Sequence, residues 1–145
     1  MKKTAVEWTS VADIDQSPLH LLRRALQTYT KTWQQKIPML SPPQFASLLA
    51  INELPKLSQS KLSKITAIDS STMAEMLSRM EKRSLLVRTE DPDNSRRYLL
   101  RLTNEGREQI EQAKCIERQV REEALSELTA DEIETLVMLL RKIAG

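Results

Sequence analysis

The stretch Leu57–Thr103, LSQSKLSKITAIDSSTMAEMLSRMEKRSLLVRTEDPDNSRRYLLRLT, constrains the chain more than any other, because its apolar period changes twice within a short span. Ser58 can cap a short helix with Leu62 and Ile65 inward. A turn is expected near Ala67 and Ile68, after which Asp69 or Ser70 can cap a second helix. In that helix Met73, Met76, Leu77 and Met80 recur at i, i+3, i+4 and i+7, which is one apolar stripe. Two short strand patterns follow, at 86–89 and 98–102, with Tyr98, Leu100 and Leu102 on one face. Between them residues 90–97, EDPDNSRR, read as a turn-rich hairpin tip.

The polar side of the second helix carries the chemistry. At about 100° per residue, the side opposite the methionine stripe holds Ser71, Glu75, Ser78 and Lys82, flanked by Thr72, Ala74 and Arg79. Short hydrogen-bonding groups lie toward its N-terminal end and cations toward its C-terminal end. A helix seated in a DNA major groove needs that distribution, with short groups near base edges and cations near the backbone. Arg96 and Arg97, on the far side of the hairpin tip, suit phosphate or minor-groove contact. Lys56, Lys61 and Lys64 are placed to meet phosphates. Helix, turn, helix and basic hairpin in this order read as a winged helix-turn-helix. The expected DNA contacts are Ser70, Ser71, Thr72, Glu75, Ser78, Arg79, Lys82, Lys61, Lys64, Arg96 and Arg97. The competing reading is a solvated helix face, with one of the two arginines bracing the hairpin.

The flanks are helical. Ser17-Pro18 reads as an N-cap and a first-position proline, and Leu19, Leu22, Leu26, Tyr29, Trp33 and Ile37 make one stripe that Pro38 ends. Ser41-Pro42-Pro43-Gln44 is a capping-box pattern ahead of Phe45, Leu48, Leu49 and Ile51, and Pro55 closes that helix. Thr103 caps a long helix with Ile110, Ala113, Ile116, Val120 and Ala124 as its stripe. Thr129-Ala130-Asp131-Glu132 is a capping box for the last helix, with Ile133, Leu136, Val137, Leu140 and Ile143 inward. Residues 1–16 have no clear period and read as a loose arm. The fold class is mainly α with a small β-hairpin wing: a winged helix-turn-helix joined to a helical lobe.

Length bounds the architecture: 145 residues make one domain, or a DNA-reading lobe with a helical lobe too small to stand alone. The net charge of +2 says little, but its distribution says more. Residues 40–103 carry ten Lys/Arg against seven Asp/Glu, whereas residues 104–145 carry six against ten. The basic part coincides with the DNA-reading stretch. No apolar run approaches the roughly 18 residues of a membrane span. Lys2 and Lys3 are not followed by a long apolar segment, and the one cysteine cannot form an internal disulfide. A cytoplasmic protein without membrane contact is expected. One histidine and no Cys/His cluster argue against a metal. No Gly-rich phosphate loop, Ser/His/Asp set or paired carboxylates stand out, so neither a cofactor nor an enzymatic activity is expected. Cys115 reads as a packed or semi-exposed structural thiol. The other reading is a redox switch.

From Arg88 to Gly106 the sequence resembles the MarR family of bacterial winged helix-turn-helix transcription regulators. The family pattern there is roughly R-x-x-x-P-x-D-x-R-x-x-x-V-x-L-T-x-x-G. Arg88, Pro92, Arg96, Leu100 (for Val), Leu102, Thr103 and Gly106 match it in register. LSPPQF at 40–45 resembles the family's L-T-x-x-Q, and the resemblance extends from about Ser17 to the C-terminus. Two positions depart from the pattern. Asn94 stands where the family usually has an Asp that helps hold the wing arginine, which leaves the orientation of Arg96 open. Ser84 occupies the usual Gly after the second helix of the pair, where a positive φ strains a serine.

The resemblance implies a homodimer on double-stranded DNA, two recognition helices in successive major grooves, and a near-palindromic operator. Residues 41–103 would form the DNA-binding lobe, and 17–40 with 104–145 the dimerisation lobe. The implied function is a repressor released from its operator by a small-molecule effector. SPLHLLRR at 17–24 resembles a subgroup whose ligands are aromatic acids or their thioesters. His20, Arg23, Arg24, Tyr29 and Trp33 would line the effector pocket, aromatic walls with cations for a carboxylate. The bland reading places Tyr29 and Trp33 in dimer-core packing. A winged-helix protein-interaction scaffold is the alternative of a different class.

Overall fold

The computed structural model describes residues 10–145. The first nine residues of the expected arm lie outside that range. The remainder carries one helical turn, α1 (Val11–Ile14), where the Ser10 backbone N–H and hydroxyl both donate to Asp13 Oδ2. Then come α2 (Pro18–Lys36), α3 (Pro42–Glu53), α4 (Gln59–Thr66), α5 (Ser70–Lys82), β1 (Leu86–Asp91), β2 (Asn94–Leu102), α6 (Asn104–Ala124) and α7 (Ala130–Ala144). The helices start where side-chain oxygens can take the orphan N–H groups of the first turn. Ser17, Ser41, Ser58, Asp69, Thr103 and Thr129 each accept from the backbone N–H three residues on.

The core gathers the expected stripes around α5. Met73, Met76, Leu77 and Met80 are all buried, with Leu48 and Ile51 of α3, Leu62 of α4, Leu85, Leu86, and Ile110, Ala113 and Val120 of α6. Trp33 closes one end of the core. Its ring is edge-on to both Tyr29 and Phe45, with centroids 5.8 and 5.4 Å away. Its indole N–H donates to the Leu40 carbonyl at 2.6 Å, so burying the ring leaves no donor unpaired.

Several elements differ from the sequence reading. Ile65 is half exposed, because Ala67 takes a left-handed conformation that ends α4 and packs Ile68 against the core in its place. The strands are longer than expected, and only Pro92 and Asp93 remain as the tip. The buried Asp91 carboxylate accepts the Asp93 N–H at 2.9 Å across a bulge at Glu90 and Asp91, which tightens the turn. Tyr98 shares a face with Leu100 and Leu102 by strand register, as expected, but it is exposed where those two are buried. Leu57 and Ser58 supply a short third edge, with Ser58 bridged to Leu99 and the Leu100 N–H donating to the Leu57 carbonyl. Leu99 is therefore covered as well.

The junction from α5 to β1 is a helix end of the Schellman type with serine where glycine is usual. The Leu85 N–H donates to Met80 O and the Ser84 N–H to Glu81 O, which places Ser84 at φ 59°. Thr103 ties this junction to α6. Its hydroxyl donates to the Ser84 carbonyl, its N–H to Leu85 O, and its oxygen accepts the Gly106 N–H.

The stripes of α2 and α7 are the largest departure. Trp33 and Ile37 are buried, but Leu19 is 71% and Leu26 62% exposed. On α7 no residue is buried, and among the described residues the helix has no extensive contact with another element. Of the residues expected inward, Ile133, Leu136 and Leu140 are only partly covered, and Val137 and Ile143 are exposed. Among the described residues no helix is long and apolar enough to cross a membrane.

Candidate nucleic-acid interface

The candidate interface centres on α5, because its apolar side is wholly spent on the core. Ser70, Ser71, Thr72, Glu75, Ser78, Arg79 and Lys82 are all exposed on the remaining surface. Asp69 caps the helix and does more than that. Its carboxylate accepts the Thr72 N–H at 2.9 Å, the Thr72 hydroxyl at 2.7 Å and the Ser71 hydroxyl at 2.8 Å. These donors, led by the Thr72 N–H, pull the Asp69 pKa down to about 2. One turn on, Glu75 pairs with Arg79 at 2.7 Å. The helix thus presents oxygen acceptors at its N-terminal end and cations at its C-terminal end.

The adjoining elements extend the surface. Lys61 and Lys64 are exposed on α4. A hollow of about 210 Å³ lies between the start of α4 and β2, lined by Ser58, Gln59, Ser60, Arg88, Arg96 and Arg97 among others. Arg88 sits 2.9 Å from Glu81 Oε2, tying β1 to α5.

The two wing arginines divide. Arg97 Nη2 and Nε lie 2.9 and 3.2 Å from Asp91 Oδ2, so this side chain braces the hairpin. The Asn94 side chain accepts the backbone N–H of Arg96 at 3.1 Å and holds no guanidinium. Arg96 is exposed and forms no ion pair among the described residues. The departure from the family pattern at Asn94 therefore leaves Arg96 free to reach outward.

The five residues of the expected effector pocket fall into two groups. His20 Nδ1 lies 3.1 Å from Arg23 Nη2, and Asp15 Oδ1 lies 3.9 Å from His20 Nε2 and 3.7 Å from Arg24 Nη1. Tyr29 and Trp33 lie nine and thirteen residues further along the same helix, about 14 and 20 Å away at its rise per residue. Trp33 is 1% exposed and packs in the core cluster. Burial, then the negative charge of Glu117, raises the pKa of the half-buried Tyr29. A cavity of about 680 Å³ opens elsewhere, behind the hairpin, with Leu54, Lys56, Leu99, Arg101 and Arg107 among its lining. Cys115 is a free, exposed thiol on α6. Among the described residues no cluster of His, Cys, Asp or Glu could hold a metal ion.

Sequence reasoning treated Asp69 as a cap alone and passed over Gln59 and Ser60. The signal for Asp69 was present: an aspartate followed by two hydroxyl residues within its reach. That for the hollow was not, because it depends on how β2 crosses the start of α4.

Comparison with known proteins follows the same lines. The family model described as "MarR family" matches residues 40–98. The transcriptional regulator HosA of Escherichia coli O157:H7 is 40% identical over 124 residues, 86% of this chain and 92% of that protein. The crystal structure of the PcaV transcriptional regulator from Streptomyces coelicolor with its natural ligand superposes with a TM-score of 0.88. It is 33% identical, over 94% of this chain and 97% of that one. BpsR of Bordetella bronchiseptica, whose DNA binding is regulated by 6-hydroxynicotinic acid, superposes with a TM-score of 0.86 at 33% identity, over 90% of this chain and 95% of that one. A shared helical scaffold, a matched winged helix-turn-helix and relatives aligned over nearly their whole length lead to one conclusion: this chain belongs to the MarR family of transcription regulators.

Proposed function

We propose that the chain is a homodimeric, effector-released repressor that reads double-stranded DNA at a near-palindromic operator in the cytoplasm. The observation that carries the reading is the division of α5. Its four large apolar side chains are buried, and its entire polar set faces outward beside an unpaired Arg96. Residues 41–103 act as the DNA lobe, with α5 in the major groove and the wing against the backbone or minor groove. Residues 17–40 and 104–145 act as the dimer lobe, and a second copy covers the exposed stripes of α2 and α7. An aromatic acid is taken at the His20, Arg23 and Arg24 end of α2, where a carboxylate would find two guanidinium groups and an imidazole. The regulation of BpsR by 6-hydroxynicotinic acid supports this ligand class.

The test is a salt titration of duplex binding. Phosphate-driven binding weakens steeply as salt rises, with a log–log slope set by the number of phosphates neutralised. No binding to any duplex at low salt would sink the reading. Adding 6-hydroxynicotinate to the complex should release the DNA and raise the melting temperature of the free protein by mass action.

A further inference from the structure

We infer that Asp69 sets the hydrogen-bond polarity of part of the DNA-reading face: it holds the protons of the Ser71 and Thr72 hydroxyls, so these two side chains offer only acceptors and select base edges that carry an exocyclic amino group. The inference rests on the proposed reading of DNA by α5 and names what that site prefers.

A serine or threonine hydroxyl owns one proton and two lone pairs, so in a major groove it can serve a donor or an acceptor equally well. Here that freedom is gone. An ionised carboxylate has no proton to give, so in both hydroxyl contacts, at 2.8 Å from Ser71 and 2.7 Å from Thr72, the hydroxyl is the donor. Only lone pairs are left to face outward. Glu75, one turn further on, adds another carboxylate on the same side. Adenine N6 and cytosine N4 present N–H groups that these oxygens can accept. Guanine O6 and N7 and thymine O4 present lone pairs instead. Meeting one would leave two desolvated acceptors without a proton between them. The Asp69 charge also opposes close approach of a phosphate to this turn, which favours contact with base edges over the backbone.

Asp69→Asn separates this role from simple capping. Asparagine is as good an N-cap, so its Oδ1 keeps the Thr72 N–H. Its amide now donates, so a neighbouring hydroxyl can accept from it and turn its own proton to the DNA. Parent and variant would each be passed through selection on a random duplex library, with thermal melting run alongside. The parent should enrich adenine or cytosine under Ser71 and Thr72. Replacing that adenine by purine, or that cytosine by 2-pyrimidinone, deletes only the amino group and should weaken parent binding about five- to tenfold. D69N should melt near the parent, admit guanine or thymine at that position, and lose less than about twofold on the same deletion. If the parent enriches a site and D69N enriches the same site with the same preference, this inference is wrong while the DNA-reading function stands. If the parent enriches no sequence, both fall together.

Discussion

Arg97 is locked to Asp91 across the hairpin, with Nη2 2.9 Å from an Asp91 oxygen and the Asp91 side chain only 4% exposed, whereas its neighbour Arg96 forms no ion pair. Adjacent identical side chains thus do different work. Arg96→Ala should weaken binding to every duplex alike, by about tenfold at low salt, and reduce the salt slope by about 1. Arg97→Ala should instead lower the melting temperature, because it strips a buried carboxylate of its guanidinium. Fluorescence anisotropy across a salt series, paired with thermal melts, separates the two. An Arg96→Ala protein that binds like the parent would overturn the assignment.

Acid should weaken the chain through the same carboxylates. The Asp91 pKa is lowered, first by the Asp93 N–H and then by Arg97, and Asp69 is lowered to about 2. A depressed folded-state pKa means the unfolded chain takes up protons first. The stabilisation is therefore complete above about pH 4, the unfolded value, and fades as pH falls through the folded value. Urea midpoints measured from pH 5 to pH 2 should fall for the parent. The gap between the parent and Asp91→Asn should close over the same window. A gap that is constant with pH would show that Asp91 gains nothing from its charge.

Gly106 is the tightest point of the scaffold. A Cβ built there would lie 2.0 Å from the Leu85 carbonyl oxygen, and the obstacle is backbone held by the Thr103 N–H. Neither side can swing away, so Gly106→Ala should cost about 3 kcal/mol and lower the melting temperature by roughly 6–12 °C. A melting temperature within a degree or two of the parent would mean that α6 can slide on the hairpin.

Ser84 offers the opposite change. Its φ of 59° strains a side-chain-bearing residue, and its hydrogen bonds at the helix end are all made by backbone atoms. Ser84→Gly should therefore stabilise by about 0.5–1 kcal/mol, the relief of the left-handed strain less the entropy glycine adds to the unfolded chain. Differential scanning calorimetry would register this as a rise of a few degrees. A fall would show that the serine hydroxyl contributes something the backbone bonds do not.

Legibility in the sequence followed the range of the forces involved. The methionine stripe of α5 and the caps at Ser41, Ser58, Thr103 and Thr129 depend on residues three or four apart, and they could be read directly. The choice between Arg96 and Arg97 depends on strand parity and on a bulge at Glu90 and Asp91, which no local pattern announces. The edge at Leu57 and Ser58 is two residues long, too short to have a period. The aromatic pair Tyr29 and Trp33 shares a stripe with His20-proximal residues, but position along the helix axis takes it into the core. The α7 stripe was readable, yet the structure buries none of it fully.

The exposed positions of the α2 and α7 stripes carry the last prediction. Leu19 and Leu26 of α2 and Ile143 of α7 are 71, 62 and 60% exposed, on elements flanking a well-packed body. Each buried side chain of this size contributes about 1.5–3 kcal/mol when taken from water, so a second copy gains from covering them. In the proposed dimer, placing a charge on each stripe, as Leu26→Glu with Ile143→Glu, should leave a monomer in sedimentation at micromolar concentration where the parent sediments as a dimer. The core residues around Met73 and Leu77 are untouched, so circular dichroism should still report a helical fold at high protein concentration. DNA affinity should fall steeply in the same variant, because a single α5 reads only one half-site. A double variant that sediments as the parent does would place the partner surface elsewhere.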